Sequence, residues 1–441
     1  MSGSWSRRRA LVGGAVLAAA GLAAGRASAQ LRVDITRGNV DPIPIAVSPF
    51  AGDGPRGAEL GQAIAEVVAT AHDSSGQLRP HDRRANIQSP DELRNVPRFA
   101  DWRQINAQAL VTGVVGPGPQ GIGIEFRLWD VFGGSQLRGL RFDTAESQWR
   151  RIAHKIADVV YERMTGEKGY FDTRIVYVAE SGPAQRRIKR IAIMDQDGAN
   201  HRFLTDGSTL VLTPRFSPDG ARVAYLEFRG IRPRVYIRDV DGSRVVPVAT
   251  DLEGMTFSPR FSPDGGSMLL TVASGGNSDI YSVSLAGGGA RRLTNSPAID
   301  TSPTYAPDGA RICFNSDRGG TPQLYVMDRN GGGVQRVSYG DGRYGSPAWS
   351  PRGDYIAFTN IKGGAFHIGV MRPDGRDERL VTRSALDQGP SWAPNGRLLL
   401  FARKERGAGS GLVTIDVTGY NERRLQTPLD ASDPDWSPLI P

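Results

Sequence analysis

The stretch Pro214-Arg-Phe-Ser-Pro-Asp-Gly220 returns as Pro259-Arg-Phe-Ser-Pro-Asp-Gly265, Pro303-Thr-Tyr-Ala-Pro-Asp-Gly309, Pro347-Ala-Trp-Ser-Pro-Arg-Gly353 and Pro390-Ser-Trp-Ala-Pro-Asn-Gly396. A truncated copy, Pro434-Asp-Trp-Ser-Pro438, ends the series. The leading prolines lie 45, 44, 44, 43 and 44 residues apart. A period in the forties, filled with short β-type runs, is the mark of a β-propeller blade.

The copy at Pro259 shows how one repeat works. Phe261, flanked by polar residues, reads as a short inner strand. Pro263 lacks an N–H and stops the ladder, and Asp264-Gly265 supplies the turn, since Gly tolerates positive φ and Asp bonds its own backbone. Apolar runs follow at Met268-Leu-Leu-Thr-Val272, Ile280-Tyr-Ser-Val283 and Ala290-Arg-Arg-Leu293, making four strands per repeat. The Asp and Gly of these turns are architectural. A calcium-loop reading of turns such as Asp239-Val-Asp-Gly242 lacks the remaining ligands and the distal Glu. Residues 174–205 carry three strand runs but no phrase of their own, whereas the last copy is an inner strand with nothing after it. Joined, they complete a blade and remove two exposed edges. The expected fold is an N-terminal α/β domain followed by a six-bladed β-propeller closed by a C-terminal inner strand.

At 441 residues the chain has room for two full cores. Residues 1–29 read as a cleavable leader, with basic Arg7, Arg8 and Arg9, an apolar run over 10–24 and the small-residue site Ala27-Ser-Ala29. Ser6-Arg-Arg-Arg-Ala-Leu11 resembles a twin-arginine signal, and export by either the twin-arginine or the general secretory route fits. The apolar run is too short to span a membrane, and no other run reaches its length. The leader holds four arginines and no acid, so its removal takes the formal charge from +8 to +4. The remaining arginines are scattered, which argues against nucleic acid as a partner. Cys313 is the single cysteine, in a strand pattern, and reads as a buried small hydrophobe.

Residues 30–39 alternate Leu31, Val33 and Ile35 with Arg32, Asp34 and Thr36, a strand pattern at the terminus that is either a docked edge or a mobile arm. A buried strand follows over 42–50. The spacing of Leu60, Ile64, Val67, Val68 and Ala71 predicts a helix over 57–72. A short helix at 101–108, three strands within 109–142 and a helix over 146–165, capped by Gly166, complete an α/β domain over 30–165. Residues 166–173 link it to the propeller, residues 174–441.

None of the five histidines (His72, His81, His154, His201, His367) has a second His or a Cys at metal-ligand spacing. His154 reads as a structural or surface residue, and His367 as a packing or rim residue. Neither a Gly-x-Ser-x-Gly elbow nor a phosphate-binding loop is present. The reading therefore expects no cofactor, no metal and no catalysis. Propellers bind at a mouth of the central channel, where the loops entering each inner strand converge. Here these are residues 206–213, 251–258, 295–302, 339–346, 383–389 and 428–433, rich in Ser, Thr, Asp and Gly. Two rival readings stand beside this one. A periplasmic enzyme such as a sugar lyase or lactonase, with its site in the channel, would have to use Asp300, Asp341, Asp387 and Asp433. A peptidase-like propeller that lost its hydrolase domain is opposed by the complete first domain and the closing strand.

The leader, the α/β domain and the six phrases, with the junction Trp149-Arg-Arg-Ile-Ala-His-Lys-Ile-Ala-Asp158, the run Thr165-Gly-Glu-Lys-Gly-Tyr-Phe-Asp-Thr-Arg174 and the ending Pro434-Asp-Trp-Ser-Pro438, resemble the TolB family of the Tol–Pal envelope system. The resemblance covers essentially the whole mature chain. It implies a non-enzymatic periplasmic protein, acting in outer-membrane integrity and in invagination during cell division. It implies binding of the lipoprotein Pal at the channel mouth and of TolA through the N-terminal arm, with further outer-membrane or periplasmic partners open. By position, the Pal-facing residues are Thr213, Ser258, Thr301, Ser302, Ser346, Gly389 and Asp433. The TolA-facing residues are Leu31, Arg32, Val33, Asp34 and Ile35. The loops depart from the family pattern at Met255-Thr-Phe-Ser258 and at Ser302. The resemblance also implies that the arm switches between docked and free.

Overall fold

The structure is a computed structural model that describes residues 41–441 except 83–86, 231, 288, 385, 406 and 408. The leader and the arm, with Leu31, Arg32, Val33, Asp34 and Ile35, lie outside the described residues.

The first domain is a mixed sheet in the order Leu78–Pro80, Ile43–Val47, Ala109–Gly118, Gly121–Asp130, Ser135–Thr144, with the short Ala51–Gly52 also on Ala109–Gly118. The first three strands run parallel and the last three antiparallel. Helix α1 (Gly54–Ser75) begins three residues before the expected start at 57, because Pro55 sits where a missing N–H costs nothing. It packs with α3 (Trp149–Thr165) on one face of the sheet. The short helix α2 (Phe99–Gln104) lies on the other face, where Trp102, Trp129 and Leu93 form a second cluster. Gly166 ends α3 at φ 77°, the left-handed cap its position suggested.

Six four-stranded antiparallel sheets follow. Their innermost strands are Leu210–Phe216, Met255–Phe261, Asp300–Tyr305, Arg343–Trp349, Asp387–Trp392 and Asp430–Trp436. Each touches the innermost strand of the next blade, and the last touches the first, so the ring is closed. The closing strand Asp430–Trp436 pairs antiparallel with Arg174–Ser181, which makes the sixth blade a composite of the two ends. Apolar side chains fill the gaps between successive blades. Val176, Val178 and Ile191 of the composite blade meet Val211, Val223 and Tyr225 of the next, for example.

The phrase itself is a small lock. Ser262 accepts the N–H of Ser267 at 2.9 Å, and Asp264 accepts both the Ser262 hydroxyl at 2.5 Å and the Gly266 N–H at 3.0 Å. Ser217 and Asp219 do the same one blade earlier. Two copies depart from Asp at this position, carrying Arg352 and Asn395, and both departures contact the segment 166–173 that joins the first domain to the propeller. Asn395 Nδ2 donates to the Lys168 carbonyl at 3.2 Å, and Arg352 Nη2 lies 3.3 Å from Glu167. Nearby, Arg423 reaches Asp73 at 3.0 Å and Asn421 reaches the Ser74 carbonyl at 3.0 Å. The first domain therefore covers the face where the inner strands end.

Residues 166–173 are packed between the domains. Tyr170 and Phe171 are buried against Tyr161 and Trp436, with ring centroids 5.6 to 5.9 Å apart for Tyr161–Tyr170, Tyr161–Phe171 and Tyr170–Trp436. Trp436 Nε1 donates to Thr173 Oγ1 at 2.8 Å. Asp158 of α3 accepts the N–H groups of Phe171 at 2.7 Å and Asp172 at 3.0 Å. Gly169 is required there, since a Cβ would stand 2.1 Å from Asp158 Oδ1.

Trp436→Ala should cost about 3–5 kcal/mol by cavity formation at a site that seals both the ring and the domain junction, read as a lower urea midpoint. Burial pushes the Asp158 carboxyl up to about 7, against the pull of its two backbone donors. Its folded value lies above the ordinary 3.8, so its contribution to stability is full below that value and is lost as pH rises through about 7. Thermal melts should show on the order of 1 kcal/mol less stability from this group at pH 8 than at pH 6, and Asp158→Asn should remove that part of the slope.

Candidate functional site at the channel mouth

With the first domain on one face, the inner strands present their N-terminal ends to the other. The loops expected at this mouth are partly strand. Each inner strand starts three or four residues before the phrase proline, so Thr213, Ser258, Thr301, Ser302, Ser346, Gly389 and Asp433 all lie within strands rather than in loops. Sheet pairing overrides the turn-like composition of these residues.

All six inner strands break register at the same place, between Leu212/Arg215, Phe257/Arg260, Thr301/Thr304, Gly345/Ala348, Gln388/Ser391 and Ser432/Asp435. The break contains the phrase proline, which has no N–H to give the ladder, and the residue before it. That residue is left-handed in every blade: Thr213 φ 49°, Ser258 52°, Ser302 53°, Ser346 48°, Gly389 67° and Asp433 49°. A residue before proline ordinarily stays extended, and a non-glycine residue with positive φ carries about 1–3 kcal/mol of strain. Six of the seven expected Pal-facing residues thus share one strained position. Thr301 is its neighbour in the third blade, with Oγ1 3.4 Å from Asn315 Oδ1.

The left-handed turn redirects the N–H towards the preceding blade. Ser302 N–H reaches Thr271 Oγ1 at 3.3 Å, Gly389 N–H reaches Thr359 Oγ1 at 3.1 Å, and Thr213 N–H reaches Asp433 Oδ2 at 3.4 Å. Deeper in the channel, Asp435 accepts the Phe216 N–H at 2.8 Å and the Ser391 hydroxyl at 2.9 Å, tying three blades together. Burial raises the Asp435 carboxyl, while Arg215 and these donors pull it back. The bulges are blade-to-blade clamps as well as the wall of the mouth.

The acids that a channel enzyme would need are already engaged. Asp300 is fully buried and held by Arg318 at 2.9 and 3.0 Å. Asp387 is equally buried and held by Arg403 at 2.7 and 3.0 Å. Asp341 pairs with Lys362 at 3.0 Å, and Asp433 accepts from Thr213. Among the described residues no group of three His, Cys, Asp or Glu could hold a metal ion. His154 is buried in α3 and bonds Asp197 at 3.0 Å, which makes it part of the domain junction. It borders a cleft of about 240 Å³ between α3 and the propeller, where Arg150, Arg151, Arg174 and Arg202 each meet an aspartate. Cys313 is fully buried.

One feature of the mouth escaped sequence reasoning. Leu210, Met255 and Ile299, four residues before the phrase proline in successive blades, are 40%, 43% and 38% exposed. They form an apolar arc, with Tyr339 (69% exposed) in the next connection along the ring. Aligning the repeats one turn further upstream would have found it.

Gly389→Ala tests the strain. Nothing lies within 4 Å of a Cβ there, so the expected loss of about 1–2 kcal/mol comes from the left-handed backbone alone. Thermal melts should show a lowered midpoint without loss of the β-sheet circular dichroism signal.

Among known proteins, residues 161–440 match the model of the TolB beta propeller domain and residues 31–137 that of the TolB amino-terminal domain. The chain is 55% identical to the Tol-Pal system protein TolB of Paramagnetospirillum magneticum, over 99% of both chains. It is 53% identical to the Tol-Pal system protein TolB of Pelagibacter ubique, over 94% of this chain and 96% of that one. The crystal structure of TolB from Acinetobacter baumannii superposes with a TM-score of 0.79 at 28% identity, covering 91% of this chain and 97% of that one. No helix of the described residues is long and apolar enough to cross a membrane. With both domains matched and near-complete relatives at this identity, the chain belongs to the TolB family of Tol-Pal system proteins.

Proposed function

We propose that this protein is a non-enzymatic, periplasmic protein-binding component that takes Pal at the channel mouth and TolA through the arm at Leu31, Arg32, Val33, Asp34 and Ile35. The observation that carries the mouth assignment is its ring of small residues at fixed left-handed positions, on the face turned away from the first domain. The ring is built in advance of any partner, so little conformational entropy is lost when one docks. Thr213, Ser258, Thr301, Ser302, Ser346, Gly389 and Asp433 offer hydroxyls, a carboxylate and open backbone, and the arc of Leu210, Met255 and Ile299 offers apolar area beside them. The Thr213 hydroxyl is buried and has no partner among the described residues. The engaged state of Asp300 and Asp387 supports binding over catalysis.

A calorimetric titration of the chain from residue 30 with the Pal domain of the same organism tests the mouth. Saturable binding is expected. Ser302→Arg with Ser346→Arg should weaken it at least about tenfold, since two long cations in a packed contact cost several times the 1.4 kcal/mol of one decade. A folded protein that does not bind Pal sinks the assignment. For the arm, deletion of residues 31–35 should abolish TolA binding and spare Pal, and unchanged TolA binding would refute that half.

A further inference from the structure

The chain holds seven methionines and one cysteine. Met1 lies outside the described residues. Met194, Met268, Met327 and Met371 are at most 1% exposed, and Met164 is half-buried against the core of the first domain. Burial closes off Cys313 and pushes its thiol up, so little reactive thiolate forms. Met255 differs from all of these. It stands exposed at the N-terminal end of an inner strand, at the position that Leu210 and Ile299 occupy in the flanking blades. It pairs with Ala273 in the sheet, and the preceding Gly254, at φ 111°, leaves no room for a Cβ, which would stand 2.4 Å from the Ala273 carbonyl. The strand therefore fixes where the Met255 side chain begins, on the open rim. Among the described residues, a dissolved oxidant meets one freely exposed sulfur, and it sits in the apolar arc of the mouth.

We propose that Met255 is an oxidation-sensitive residue of the mouth, and that conversion of its thioether to the sulfoxide by a peroxide-class oxidant weakens the docking of Pal. The proposal rests on the mouth reading above. The sulfur lone pair attacks one oxygen of hydrogen peroxide. The O–O bond breaks as the S–O bond forms. Sulfur is oxidised by two electrons, peroxide is reduced, and the second oxygen leaves as water with both protons. The step turns a flexible apolar group into a strongly polar one. Leu210 and Ile299 on either side are apolar and offer the new S–O dipole no donor, so a partner that covers the arc must strip water from a strongly polar group.

The test combines peptide mass spectrometry with calorimetry on the chain from residue 30, treated with graded hydrogen peroxide. The peptide carrying Met255 should gain one oxygen before the peptide carrying Met164. Pal affinity should fall about tenfold in step with it, the size expected for one buried polar group left unpaired, and methionine sulfoxide reductase should restore it. The Met255→Leu protein should give the same affinity before and after peroxide. Earlier oxidation of Met164, or full Pal affinity with Met255 completely oxidised, overturns the inference and leaves the mouth reading standing. Absence of Pal binding by the untreated protein overturns both.

Discussion

The antiparallel pairing of Asp430–Trp436 with Arg174–Ser181 is the constraint on which the structure depends. A propeller blade is apolar on both faces, so an open arc of blades would leave two such faces and two strand edges in water. Closure removes all four at once. The entropic cost of joining ends so far apart in sequence grows only logarithmically with the length between them, whereas the area buried is that of a whole blade interface on each side. The closing strand also does more than pair. Asp435 bonds the blades on both sides of it, and Trp436 reaches Thr173 and Tyr170 at the base of the first domain. The ring and the domain junction are thus sealed by the same seven residues.

That double role sets the polarity of the molecule. The first domain docks where the inner strands end, held by Arg352, Asn395 and Arg423 from the propeller and by the clamped segment around Asp158. Phrase positions that lock their own turn elsewhere in the ring are diverted to this contact. The opposite face keeps its mouth, and there the recurring proline imposes a second regularity. Having no N–H, it forces a bulge in each inner strand, and the residue before it turns left-handed and gives its N–H to the neighbouring blade in several positions. The strain is tolerated because each bulge is held on both sides by packed blades. The outcome is a ring of small residues at fixed left-handed positions, held between packed blades.

Much of this was legible in the repeat. The near-constant spacing of the phrase specifies blades, their number and the splicing of the two ends, because each blade is a local unit whose turns are encoded by Pro, Asp and Gly. The helical stripe of Leu60, Ile64, Val67 and Val68, the cap at Gly166 and the burial of Cys313 were equally local, and the structure agrees with them. The position of the mouth followed from the order of strands. What composition misjudged was the state of the residues there: Ser, Thr, Asp and Gly suggested loops, but pairing with the second strand of each blade makes them strand and bulge.

Only the tertiary structure decided the rest, because it depends on residues far apart in sequence. That Asp300 and Asp387 are neutralised by Arg318 and Arg403 is set by packing within a blade, where a buried carboxylate must find a cation. That Arg352 and Asn395 are docking residues rather than irregular turns requires the interdomain segment, far upstream in the chain, which meets them at Glu167 and Lys168. The arc of Leu210, Met255 and Ile299 exists only because the ring brings equivalent positions of successive blades side by side. By itself the sequence determined the units and their count, through local turn chemistry and periodicity. Which face is covered, which stays open and which charges are spent was decided by closure of the ring, since only closure brings these partners within reach.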